Sequence, residues 1–87
     1  MNANIKQYVR ERDEMLKKCS IEELRKFVNE HKKHFTSEYV ESFNAAPDKV
    51  LEITLHKMIV NAVKLPQNLR ERSALWLMFR GYNLGIN

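Results

Sequence analysis

Apolar positions recur at helical spacing along most of the chain, and the breaks between runs fall at residues that start or stop helices. The first run is Ile5, Tyr8, Val9, Met15, Leu16 and Cys19. Asn4, with Gln7 three residues on, predicts its start, because such a pair can satisfy the free N–H groups of a first turn. Arg12 interrupts this face, so its stem is expected along the face with the charge at the rim. The second run, Ile21, Leu24, Phe27, Val28 and His31, opens with the clearest signal. Ser20 and Glu23 form an S-x-x-E capping box, with Cys19 and Leu24 at the apolar positions that flank one. That placement reads Cys19 as a packed structural residue. The helix should fade at Lys32-Lys33, where cations favour its negative end.

A short third helix is predicted after Thr36, with Phe35 and Val40 as its flanking apolar pair and Tyr39, Val40 and Phe43 inward. Pro47 ends it or opens the fourth, which runs to about Lys64. On that helix Leu51, Leu55, Met58 and Ala62 share one side, with Thr54 beside them. Lys49, Glu52, His56, Lys57, Asn61 and Lys64 lie opposite, and Ile53 and Val60 fall inside this polar sector. Two β-branched residues there require cover, from another helix or from a partner. A fifth helix opens at Pro66 and runs through Leu69, Ser73, Trp76 and Phe79 to Arg80. Gly81 suits a left-handed cap, with Leu77 and Tyr82 in apolar contact across it. The expectation is therefore all-α: a compact bundle of four to five short helices, forming one domain over residues 1–87 with a short flexible N-terminus and a C-terminal tail.

Composition narrows the function. With 87 residues, Gly 2 and Pro 2, a two-domain enzyme or a turn-rich sandwich is not expected. One Cys excludes an internal disulfide framework and fits a reducing compartment. No apolar run approaches membrane-spanning length, and the start lacks the layout of a signal peptide, so a cytoplasmic protein without membrane contact is expected. The net charge is +4, with 9 basic and 8 acidic side chains in residues 1–47 and 6 and 3 in residues 48–87. This mild, mixed surplus is less dense than the basic stripe of a free-standing DNA binder.

Candidate chemistry is sparse. His31 and His34 sit at i, i+3, but no second pair completes a metal site, so no metal and no cofactor is expected. Glu52 and His56 at i, i+4 are a common spacing on exposed helices, and the sequence implies no pocket for them. Without a glycine-rich phosphate loop either, the chain reads as a non-enzyme. Gln67, Asn68, Arg70 and Arg72 open the fifth helix with side chains that can read base edges, which makes direct helix-turn-helix DNA binding an alternative. The joint before it, Lys64-Leu65-Pro66, has no Gly, and the solvated first turn of an ordinary helix has the same composition.

Several segments keep an order seen elsewhere: Leu16-Lys17-Lys18-Cys19, Ile21-Glu22-Glu23-Leu24, Lys32, Phe35-Thr36, Val40, Phe43, Ala45-Ala46-Pro47-Asp48, Leu51 and Lys64-Leu65-Pro66. From about residue 16 to 55 this order resembles the Hha/YmoA family, small helical modulators of bacterial gene expression. Arg25 stands where the family has an acid, Pro47 intrudes before Asp48, the fourth helix is longer, and the region from Arg70 has no counterpart. The resemblance implies a protein that binds the dimerisation region of the nucleoid silencer H-NS. Asp48 would hold an Arg of that partner, with Glu22 or Glu23 in place of the family's other acid. Lys32, with Lys33 beside it, would face DNA through the partner complex. The leading expectation is a small regulatory protein that docks on a protein partner and modulates DNA binding or transcription. A third reading is an assembly or accessory protein, possible as a homodimer, that associates through Ile53 and Val60.

Overall fold

The computed structural model describes residues 3–86, without the side chains of residues 3–5 and 34. Five α-helices follow one another: α1 (Ala3–Met15), α2 (Ile21–Glu30), α3 (Ser37–Glu41), α4 (Pro47–Asn61) and α5 (Gln67–Phe79). A short 3-10 turn, Lys32–His34, follows α2, and the described residues contain no strand. The all-α bundle expected from the spacing is the observed fold.

The helix starts follow local chemistry. Glu23 N–H donates to Ser20 Oγ at 3.3 Å at the start of α2, and Tyr39 N–H donates to Thr36 Oγ1 at 3.1 Å at the start of α3. Each bond satisfies one orphan donor of a first turn. Asn44 adopts a positive φ of 50° after α3, a conformation that Asn tolerates better than most residues. Pro47 opens α4, where its missing N–H costs nothing. At the end of α5, Gly81 takes φ +80°. Tyr82 N–H then donates to the Leu77 carbonyl at 3.0 Å and Gly81 N–H to that of Met78 at 3.1 Å, the paired bonds of a glycine-capped terminus.

Both expected ends of α1 shift, and α4 stops at Asn61, short of the expected Lys64. α1 begins at Ala3, before Asn4, whose proposed cap involves a side chain outside the described residues. It also ends at Met15, so Cys19 lies in the connecting turn and is exposed. Cys19 is therefore not the packed residue expected of the apolar position that precedes the Ser20 cap. Arg12 departs as well: its side chain is only 14% exposed. Its guanidinium reaches Asp13 at 3.2 Å, but Nε is buried without a hydrogen-bond partner among the described residues.

α4 is the centre of the bundle. α5 packs along it, α2 lies against it, and α1 packs on α2. One core cluster joins Leu24, Phe27 and Val28 of α2 to Met58 and Ile59 of α4, with Ala62 and Leu65 beyond them. Tyr8 of α1 stacks on Phe27 at 5.7 Å, and His31 stacks on the same ring at 4.1 Å. His31 also bridges the helices, with Nδ1 2.9 Å from the Phe27 carbonyl and Nε2 3.0 Å from Glu11 Oε2.

The middle of the expected wet face of α4 is covered, while Lys49 and Lys64 at its two ends are exposed. His56 Nδ1 lies 2.9 Å from Ser73 Oγ of α5. Lys57 Nζ donates to Asn83 Oδ1 at 3.2 Å, and Asn61 Nδ2 donates to the Leu84 carbonyl at 3.0 Å. At 100° per residue Ile53 and Val60 point between His56 and Lys57. They are therefore covered by α5 and the turn that follows it. Ile53 is 1% exposed and Val60 is half-buried, so neither forms an outer association patch.

Candidate functional site

An open groove of about 660 Å3 runs between α2, α4 and α5. Ile21 and Val28 of α2, Leu51, Leu55 and Ile59 of α4, and Leu69 and Trp76 of α5 give it an apolar lining. These positions line one channel because α2 and α5 both lie against α4, each at its own angle around that helix. Polar residues edge it: Arg25, Asn29, Asp48, Glu52, His56, Arg72 and Ser73. Glu52 and His56 thus do line a cavity, which their spacing did not imply.

Asp48 is exposed in the first turn of α4, where a carboxylate is favoured by the helix dipole. Glu52 follows one turn later on the same side and pairs with Lys49 at 3.5 Å. Glu22 and Glu23 are exposed, but neither lines the groove. The acid that shares the groove with Asp48 is Glu52, a neighbour that i, i+4 spacing could have indicated. Arg25 and Arg72 give the groove charge of the opposite sign.

His56 is held by two side chains of α5. Its ring stacks on Trp76 at 4.1 Å and 19°, and its Nδ1 meets Ser73. Arg80 covers the Trp76 ring at 4.0 Å and donates to the Trp76 carbonyl at 3.1 Å. Burial lowers the His56 pKa, the Glu52 carboxylate opposes that, and Arg80 and Arg25 lower it further. Ser73 is buried in the interior of α5, where backbone N–H groups bond within the helix and cannot cradle an oxyanion.

The residues proposed to meet nucleic acid do not converge. Lys32 and Lys33 are exposed on the turn after α2, away from the groove. Neither pairs with a carboxylate among the described residues. Gln67 and Asn68 are exposed, but Gln67 bonds Glu71 at 2.8 Å, which places an acid beside it. Arg70 Nε is tied to the Leu65 carbonyl at 3.1 Å, and Arg72 lines the groove. At the start of α5, Gln67, Asn68 and Arg72 are thus exposed, while Arg70 is partly buried. No group of three or more His, Cys, Asp or Glu is placed to hold a metal among the described residues. The His34 side chain of the proposed His31/His34 pair lies outside them.

Sequence reasoning missed a surface feature. Leu75, Met78 and Phe79 are exposed together on α5, and Phe79 is 82% exposed. Their i, i+3, i+4 spacing is the same signal that marks a core face elsewhere.

The fold is an all-α bundle with an open groove edged by charges of both signs. No protein-family model matches the chain, and no curated protein or solved structure matches it. No helix among the described residues is long and apolar enough to cross a membrane.

Proposed function

We propose that this protein is a small non-enzymatic regulatory module that docks a segment of a protein partner in the groove between α2, α4 and α5. Through that complex it modulates DNA binding or transcription. The observation that carries the reading is the pairing of an apolar channel with Asp48 and Glu52 along one side of it. Amphipathic partner helices seat apolar anchors in such channels while charged edges select register and partner. Asp48 and Glu52 suit a basic side chain, and Trp76 supplies the large anchor surface typical of energetic centres. The resemblance of residues 16–55 to the Hha/YmoA family makes an H-NS-like nucleoid protein the first partner to test. Lys32 and Lys33, exposed and without a carboxylate partner among the described residues, leave a basic edge for DNA once the groove is filled.

The test uses the full chain as bait in extract of its native host, followed by calorimetry with the purified partner. Asp48→Asn and Leu69→Asp should weaken binding while the melting temperature of Asp48→Asn stays near wild type. Lys32→Glu with Lys33→Glu should spare the complex but reduce its DNA affinity, with a salt slope smaller by roughly one unit per lost phosphate contact. Partner affinity unchanged by both groove variants would overturn the reading. It would leave Asp48 as a helix-end charge only.

A second reading, assembly through an apolar face, is favoured by exposed Leu75, Met78 and Phe79 rather than by Ile53 and Val60. Sedimentation showing concentration-dependent association of the wild type, abolished by Phe79→Lys, would support it.

A further inference from the structure

A second hollow, of about 370 Å3, lies between α3, α4 and the turn after α5. Its walls are largely aromatic. Phe43 meets Tyr39 edge-on at 4.9 Å and Tyr82 at 5.7 Å. Ser42 and Asn83 add polar edges. Lys57 also lines it, from a side chain that is 5% exposed.

The surroundings of Lys57 are unusual for a cation. An ammonium carries three donors. One goes to Asn83 Oδ1, and the Phe43 ring lies 5.2 Å from the nitrogen. No carboxylate pairs with it among the described residues. A covered charge without a counter-ion is costly, and burial pushes the Lys57 pKa down accordingly. Asn83 is oriented by two bonds to its Oδ1, from Lys57 Nζ and from Gly85 N–H. Its amide N–H2 meets no acceptor among the described residues and can serve as a second donor.

We propose that the hollow between α3, α4 and the C-terminal turn binds a small aromatic carboxylate. Its carboxylate meets Lys57 Nζ and the Asn83 amide, and its ring lies against Phe43 and Tyr82. The volume suits one ring with short substituents. Edge-to-face contact is the arrangement aromatic rings prefer, and the walls already use it. A carboxylate matches a site with one ammonium and one amide donor. A phosphate would call for more donors than this site has. This proposal is independent of the groove.

Sodium benzoate is the first probe, titrated into the isotope-labelled full chain near neutral pH and followed by amide chemical shifts. Saturable shifts should appear at residues 39–43 and 81–83. Acetate keeps the charge without the ring, and benzyl alcohol keeps the ring without the charge. Each should bind at least roughly tenfold more weakly than benzoate. Lys57→Met keeps the stem and should lose a similar factor. Absence of saturable shifts up to about 50 mM benzoate, millimolar affinity being the weak limit of a specific site, overturns the proposal. So does equal binding of benzyl alcohol, acetate or inorganic phosphate, or undiminished binding by Lys57→Met. The comparison of probes on the wild type decides the matter even if the variant does not fold.

Discussion

Ile53→Ala separates a buried seam from a surface patch. The side chain is 1% exposed, and truncation removes three carbons from it. At about 0.8 kcal/mol per buried methylene, the lost transfer energy is about 2.4 kcal/mol. The cavity left behind adds to this, for a total of about 3 kcal/mol within the usual range of about 2–5. A domain of this size has a total stability of only about 5–15 kcal/mol. The melting temperature should fall by about 12–24 °C, at about 4–8 °C per kcal/mol. Urea unfolding followed by far-ultraviolet circular dichroism gives the free energy directly. Val63→Ala is the control, because Val63 is 71% exposed and should change stability by less than about 0.5 kcal/mol. If Ile53→Ala behaves like Val63→Ala, then α5 does not seal that side of α4, and the exposed patch read from the helical wheel stands.

Three further outcomes follow from single contacts. Ser20→Ala removes the acceptor for Glu23 N–H and should cost about 0.5–2 kcal/mol in the same assay. Gly81→Ala should cost about 1–2 kcal/mol from backbone strain alone, because an added Cβ meets nothing within 4 Å, and Gly81→Asn should cost less. Burial lowers the His56 pKa, so as pH falls the unfolded chain takes up the proton first. This contribution is complete above the ordinary histidine range, near about 6.5, and is lost as pH falls through the depressed value. His56→Asn should therefore lose less stability than wild type between about pH 7 and pH 5. Equal losses would show that His56 is not desolvated.

The sequence by itself determined what is decided within one turn of chain. The Ser20 and Thr36 caps bond a backbone N–H three residues on, and Gly81 closes α5 through atoms of its own last turn. The core stripe of α2 was equally legible, because one face of that helix is buried and Leu24, Phe27 and Val28 repeat at its period. Asp48 was placed on a candidate docking face, but the groove itself was not visible, since three separate helices line it. Cys19 was misplaced: it precedes the Ser20 cap as an apolar flanking residue should, but it lies exposed in the turn after Met15 while Leu24 is buried. α4 failed for a tertiary reason. Periodicity reports a buried face only when another face is wet, and α4 is covered from several sides. His56, Lys57 and Asn61 meet partners 17, 26 and 23 positions further along, at Ser73, Asn83 and Leu84. No window along the chain contains those pairs. The return of α5 and the turn after it over α4 therefore decided that Ile53 is core, that Lys57 lines a hollow, and that Leu75, Met78 and Phe79 face outward.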